Sequence, residues 1–432
     1  MPERFPLVSW FRRHRARVAL LFAASVAVAV AGCTESFEGG AACPSLCPEK
    51  AAAFKDTTFE AVVQDTSVAG YPALGLSAGL LLVNRPDTLV TRAVIRFDAL
   101  PSTFTPSGAS AISSITAIDS VFLRLPLDST ARLGSLPVTL DIFDVDTAVS
   151  DTVTAVVSGL FRSDRLISSF VFTPNTTKDT LRVPLAKAPV LAKIIAGSRL
   201  RLGLRIRGGS GQLRLRAFSF GSGVPYITFD PSTDTAYVPL TVNTSTTVSA
   251  LTADAALAYT VYTIVDKGSN PPDVQTLIVG GYPAYRSYLR FNVPKSITDS
   301  STIVRAEVLL TQRRSTFASS GDTVTIVPLI PTTTTAITDL YRILDLAAEG
   351  SFASIDTTRL VPRDSGLKTL NVLSLLRSWP ALPANVPRAI AFRIGIEGAQ
   401  PAELRFFSSK APAAVRPRLR ITYQPRSEFA IP

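Results

Sequence analysis

The sequence predicts an all-β protein: two tandem antiparallel β-sandwich domains, jelly-roll-like, with few short helices. Three observations carry this. Short runs of alternating apolar and polar residues, many of them β-branched, recur along most of the 432 residues. Turn formers are frequent, with 31 Pro and 24 Gly, while only 18% of residues are charged. One order of strands also occurs twice.

The repeat sets the domain plan. RAVIRFDALPSTF (92–104) aligns without gaps on RSYLRFNVPKSIT (286–298). SITAIDSVFLRLPL (114–127) parallels STIVRAEVLLTQ (301–312), and VTLDIFDVD (138–146) parallels VTIVPLIP (324–331). LRAFSF (215–220) parallels LRFFSS (404–409). The copies close on Ile227-Thr228-Phe229-Asp230-Pro231 and Ile421-Thr422-Tyr423-Gln424-Pro425. The first and last matches share an offset of 194 residues. These matches place one sandwich at 55–231 and the other at 251–432. The Ser/Thr-rich segment 232–250 reads as a linker plus an entering strand. Helical candidates are limited to Ala148–Arg165, Ala336–Glu349 and Leu373–Trp379.

The N-terminus reads as an export signal. Arg4, Arg12, Arg13, Arg15 and Arg17 precede an apolar run from Val18 to Ala31, broken only by Ser25. That run is shorter than the roughly 20 residues a membrane-spanning helix needs. It ends in Val30-Ala31-Gly32-Cys33, which resembles the bacterial lipobox. By that resemblance residues 1–32 are removed and Cys33 carries the lipid. Residues 33–54 then form a flexible tether, and Thr34 rather than Asp after the cysteine points to the outer membrane. Cys43 and Cys47 are the only other cysteines. In an oxidising compartment they are expected to close a small disulfide loop.

Removing the signal also removes the lone His14, the lone Met1 and Trp10, leaving Trp379 as the only tryptophan. A mature chain without histidine has no Ser-His-Asp or Cys-His dyad and no His-ligated metal. The formal charge falls from +11 to about +7, because 1–32 holds five Arg and one Glu.

The repeated strands resemble the DNRLRE domain, also called the disaggregatase-related β-sandwich. The resemblance rests on Val94-Ile95-Arg96-Phe97-Asp98 and Tyr288-Leu289-Arg290-Phe291-Asn292, and on the closing strand Pro417-Arg418-Leu419-Arg420-Ile421-Thr422-Tyr423. The first copy closes with a shorter version, Val224-Pro225-Tyr226-Ile227-Thr228-Phe229, and lacks the family's tryptophan. Trp379 is the candidate for that tryptophan in the second copy. The resemblance implies likeness to carbohydrate-binding modules of cell-surface proteins, some of which take acidic polysaccharides such as alginate.

The sharpest local feature is basic. No Asp or Glu occurs from Thr180 to Phe229. Arg199, Arg201, Arg205 and Arg207 alternate with Leu200, Leu202, Leu204 and Ile206, and Arg214 and Arg216 flank Leu215. If the two segments pair across Gly208-Gly209-Ser210-Gly211, period-two geometry puts all six arginines on one face. Such a face suits carboxylate or sulfate groups. Alternatively, Asp141, Asp144 and Asp146 neutralise it.

Tyr282 and Tyr285, beside Gly280-Gly281, are candidate sugar-stacking residues; packed loop anchors are the competing reading. Asp141, Asp144 and Asp146 form no complete Ca²⁺ ligand set, because strand alternation turns Asp141 away from the other two. Arg96 and Arg290, recurring in both copies, read as structural ion pairs. No acidic pair at a useful spacing recommends catalysis, so neither enzymatic activity, a metal nor a cofactor is expected. The expected function is a non-catalytic, lipid-anchored module that binds acidic polysaccharide, without nucleic-acid binding. A structural or protein-interaction lipoprotein is the alternative, with an envelope protein as partner.

Overall fold

Alternation in the sequence becomes strands with one face turned to a core. In Leu89–Phe97 Leu89, Thr91, Ala93, Ile95 and Phe97 alternate into buried positions, and the Arg85-Pro86-Asp87-Thr88 turn before it is closed by Thr88 N–H donating to the Arg85 carbonyl at 2.9 Å. The computed structural model describes residues 54–425, apart from 61, 73, 76, 78, 99 and 316 and the segments 129–136, 174–178, 209–211, 218–222, 235–237, 245–259, 318–322 and 332–355.

The strands of the first half are β1 (Lys55–Phe59), β2 (Val62–Tyr71), β3 (Gly79–Arg85), β4 (Leu89–Phe97), β5 (Thr103–Phe104), β6 (Ser113–Ser114) and β7 (Ile118–Pro126). They continue as β8 (Val138–Asp144), β9 (Leu166–Phe172), β10 (Thr180–Pro184), β11 (Leu200–Arg207), β12 (Gln212–Arg216) and β13 (Tyr226–Pro231). The second half holds β14 (Leu240–Asn243), β15 (Val261–Lys267), β16 (Thr276–Gly280), β17 (Ala284–Phe291), β18 (Ser301–Arg313) and β19 (Val324–Leu329). After these come β20 (Thr358–Leu360), β21 (Gly366–Asn371), β22 (Ile390–Ile394), β23 (Glu403–Phe407) and β24 (Arg418–Pro425).

All pairings among these strands are antiparallel, so the protein is all-β, and two cores organise it. In the first lobe, the order β12-β3-β4-β11-β8-β9 and the sheet β10-β7-β13-β14 share a core that includes Leu82, Ile95, Leu123, Leu202 and Phe229. The second lobe repeats the scheme around Leu289, Val308, Ile326, Phe392 and the fully buried Trp379. Equivalent strands keep equivalent neighbours. β7 lies beside β13 as β18 lies beside β24, and β8 lies beside β11 as β19 lies beside β22.

The strand that precedes each central hairpin does not stay with its own copy. By the 194-residue offset, β15 corresponds to β2 and β17 to β4. Yet β2 pairs with β17, from Ala284↔Tyr71 to Phe291↔Val62, and β15 pairs with β4, from Val261↔Ile95 to Lys267↔Val90. The outer strands follow the same rule: β1 pairs with β24 and β14 with β13. The arm β1–β2 thus completes the second lobe, and the arm β14–β15 completes the first. The boundaries expected at 55–231 and 251–432 therefore do not coincide with the lobes, because sequence repetition does not report which copy a strand joins. The segment 232–250, expected as a linker with an entering strand, contributes β14 to the first lobe's sheet.

Each arm enters where a hairpin splits. β3 and β4 pair only at Asn84↔Val90 and Arg85↔Leu89. Beyond this, Thr91 Oγ1 accepts from Val83 N–H at 2.9 Å and donates to the Leu81 carbonyl at 2.6 Å, while β15 takes the freed edge of β4. In the second lobe, Ser287 Oγ donates to the Ile278 carbonyl and Ser67 Oγ accepts from Ile278 N–H, both at 2.8 Å. Hydroxyls thus replace ladder bonds that the split removes. The tight β16–β17 turn needs Gly280 and Gly281 at φ 86° and 92°, a region other residues avoid.

Helices are few and short. Within Ala148–Arg165 only Thr154–Ser158 is α-helical, with a 3₁₀ turn at Ser163–Arg165. The third candidate is present as Leu373–Ser378 followed by a 3₁₀ turn at Trp379–Ala381. The second candidate, Ala336–Glu349, lies in the segment 332–355 outside the described residues. Among the described residues no helix is long and apolar enough to cross a membrane.

Candidate functional site

The basic strand β11 sits at the centre of its sheet, between β4 and β8. It does not pair with β12, which lies against β3 two strands away. The expected hairpin pairing across 208–211 is therefore absent, and β12 stands beyond β3 and β4 from β11 in the same sheet order. The physical reason is that β12 follows β3 around the split while β11 stays beside β4.

The arginine side of β11 is covered along most of its length, Arg207 at its end remaining exposed. The segment 145–161 folds over it, with Val94, Phe143, Val145, Val157, Phe161, Tyr262 and Ile264 forming a second apolar layer. Gly203 makes this possible, since a Cβ there would fall 2.6 Å from both Phe161 and Val145. Charges carried beneath such a layer need partners. Arg199 donates to Asp146 at 2.8 Å and to the Thr147 carbonyl at 2.6 Å. Arg201, 1% exposed, is held by Asp151 and by the Thr147 carbonyl at 2.7 Å. Arg207 grips both oxygens of Asp141, at 3.0 and 3.1 Å, and Arg205 donates to the same carboxylate at 3.2 Å while stacking on Phe143. Arg214 pairs with Asp128 at 2.6 Å, and Arg216 lies opposite Gly79. The acids that neutralise the arginines include Asp141 and Asp146, as the competing reading of the sequence had it.

Burial raises the Asp141 carboxyl, but hydrogen bonds from Arg207, Ser169 and Arg205 outweigh it and hold the group below its usual range. Asp146 is likewise lowered: the hydrogen bond from Lys193 and the charges of Arg199 and Lys193 overcome the effect of burial. Asp144 lies 3.7 Å from Lys193. Among the described residues no three His, Cys, Asp or Glu side chains converge as a metal site.

The fully buried charge cluster was not legible beforehand. Arg96 pairs with Asp98 at 2.7 Å and approaches Asp151 at 3.6 Å. Tyr262, carried in by the exchanged β15, donates to Asp151 at 2.9 Å and is 1% exposed. Burial pushes the Tyr262 phenol far above its ordinary value, with the Asp151 charge adding to it, so it remains a donor. Arg96 is thus a structural ion pair. Its repeat partner Arg290 lies opposite Gln64 on the arm strand β2.

The two candidate stacking residues are buried, Tyr282 at 3% exposure and Tyr285 at 7%. Tyr282 packs with Leu81, Val83 and Leu89, and burial pushes its phenol up to about 12. Tyr71 packs with Ala284, Tyr288 and Ala389 beneath Arg286, itself bonded to Glu397 through both nitrogens at 2.8 and 2.6 Å. Neither forms an exposed platform: Tyr282, in the turn before β17, is packed against Leu81, Val83 and Leu89, and Tyr285 is a buried residue of β17 itself. A signal was present in the sequence: Gly-Tyr-Pro occurs at 70–72 and again at 281–283, out of step with the repeat.

Both tripeptides border a cavity of about 430 Å³, lined by Tyr71, Tyr262, Tyr282, Leu74, Thr154 and Gly398 among others. Among the described residues no charged side chain lines it. Its size is that of a small-molecule site. Cys33, Cys43 and Cys47 lie outside the described residues.

No family model matches the chain, and no curated protein does. Solved structures that match include infectious bursal disease virus Gt strain, at 10% identity, covering 90% of this chain and 78% of that one, with a TM-score of 0.13. The T13 particle of the same virus matches at 11% identity, covering 87% and 74%, also with a TM-score of 0.13. Likeness at that level says nothing about what this chain does.

Proposed function

We propose that the chain is an exported, lipid-anchored envelope protein without catalytic activity, whose fused lobes act as a structural or protein-interaction module. The observation that carries this reading is that the groups expected to meet an acidic glycan are already paired with the protein's own aspartates or buried. Arg199, Arg201, Arg205, Arg207 and Arg214 each hold an aspartate, and Tyr282 and Tyr285 are buried. The signal-like N-terminus and the lipobox resemblance at Cys33 support anchoring, and Thr34 supports the outer membrane. The exchange of arms supports a mechanical role, since it turns two repeats into one body.

The test is binding of the mature chain to neutral and anionic polysaccharides at low and high salt, with mass spectrometry of residue 33. We expect no salt-sensitive retention and a diacylglycerol adduct on Cys33. Retention on alginate that is lost in salt and in Arg205→Ser/Arg207→Ser would overturn the reading. One observation favours a carbohydrate ligand instead, namely the uncharged, tyrosine-lined cavity. A sugar held there would be neutral, and its binding would be insensitive to salt.

A further inference from the structure

The lobes are completed by strands that their own copies do not supply, and this defines an interaction surface. The second lobe offers two edges, β17 and β24, and the chain fills them with its arm of residues 55–71. That arm is joined to the rest of the molecule only through the crossover 72–78. The other arm is different. β14 pairs directly with β13, the strand before it in the chain, so it is fixed beside its neighbour in sequence. Only the N-terminal arm combines a slot in a distant part of the sequence with a single covalent connection.

We propose that the arm 55–71 of one chain completes the second lobe of another copy, linking two molecules by reciprocal strand exchange. The inference rests on the strand pairing alone and is independent of lipid anchoring. Every contact that seats the arm is available from either source. These contacts are the β2–β17 and β1–β24 ladders, the Ser67 and Ser287 hydroxyls 2.8 Å apart, and the Asp65 carboxylate accepting from Ser409 N–H at 2.6 Å. Donor-strand recognition of this kind takes its affinity from main-chain bonds and its register from alternate side chains.

The balance between the closed monomer and the linked pair is set by concentration. A short connection presents its own arm at an effective concentration of about a millimolar. A second copy competes only when its local concentration approaches that value. Unseating a folded arm breaks both ladders together, so exchange belongs to folding, before the slot is filled.

Chains with Cys33, Cys43 and Cys47 changed to Ser provide the test. One carries Ser67→Cys and the other Ser287→Cys. They are unfolded together, refolded and oxidised with glutathione disulfide. We expect the disulfide-linked heterodimer to rise about tenfold or more between roughly 1 µM and 1 mM refolding concentration. The double variant should close within one chain when dilute. Absence of the heterodimer at 1 mM, with the double variant closing normally, would overturn the proposal. So would equal linkage in Ser67→Cys refolded alone, which would mark random collision. If the serine variants do not fold, Gln64→Cys and Arg290→Cys, opposite each other in the same ladder, give the same reading with the same outcomes.

Discussion

Asp151→Asn should destabilise both lobes although Asp151 lies in only one of them. The side chain is 1% exposed and takes Arg201, the Tyr262 hydroxyl at 2.9 Å and, more distantly, Arg96 at 3.6 Å. Asparagine keeps the volume and removes the charge. Arg201 then has Asp146 at 3.9 Å as its nearest remaining carboxylate, beside the Thr147 carbonyl, whereas Arg96 keeps Asp98 at 2.7 Å. Breaking a buried pair typically costs about 3–5 kcal/mol, and the retained Asp98 contact puts the expected loss at the lower end. Because Tyr262 sits on the arm that starts the second copy, loosening its anchor frees β15, and with it the coupling between lobes. Trp379, fully buried in the second core, is the reporter once residues 1–32 are absent. Its fluorescence transition in urea should move down by about 1 M for a slope near 3 kcal/mol/M, together with the far-UV signal. A Trp379 transition that stays in place while the far-UV signal loses an early step would show that the lobes unfold independently. The reasoning from strand exchange would then be refuted.

Three other outcomes follow from the same contacts. Asp141 is held below its usual range in the folded state, so its contribution is present above about pH 4 and lost as pH falls through the folded value. Asp141→Asn should therefore flatten the acid limb of a stability–pH profile while costing about 1–2 kcal/mol at neutral pH, a modest figure because Arg207 is 62% exposed. Gly398→Ala forces a side chain onto φ 75° and places its Cβ 2.6 Å from Pro72 in the crossover; thermal unfolding should show a loss of about 2 kcal/mol or more. Tyr262→Phe removes one hydrogen bond to a buried carboxylate and should lose about 1.5–3 kcal/mol in the same urea assay, with Trp379 again following.

Much of the strand content was legible, because Leu89–Phe97 and Leu200–Arg207 carry their alternation openly. The pairing of those strands was not. A period of two says which residues share a face, and nothing in it says that β12 would leave β11 for β3. The arginines were likewise visible as a pattern, but most of their partners were not. Neutralising them required Asp128 and Asp151 from loops far away in sequence, and a covering segment admitted by Gly203. The helix Lys187–Ile195 was hidden inside the basic stretch, although Val190 and Ile194, four apart and both buried, carry its period. Tyr282 was placed in a turn correctly while Tyr285 falls within β17, and turn position does not decide exposure when packing covers it.

The traded arms also bear on how such a chain can change over generations. Before the trade, a duplicated unit can be lost again without harm, since each copy is whole. Afterwards, deleting either repeat strands the survivor with an unfilled slot and a surplus arm. Substitutions in the two copies are then free to diverge in the outer loops but are tied together along β2, β4, β15 and β17, where each copy is the other's partner. The pair is inherited as one unit, and its return to a single sandwich is closed by the very ladder that joins it.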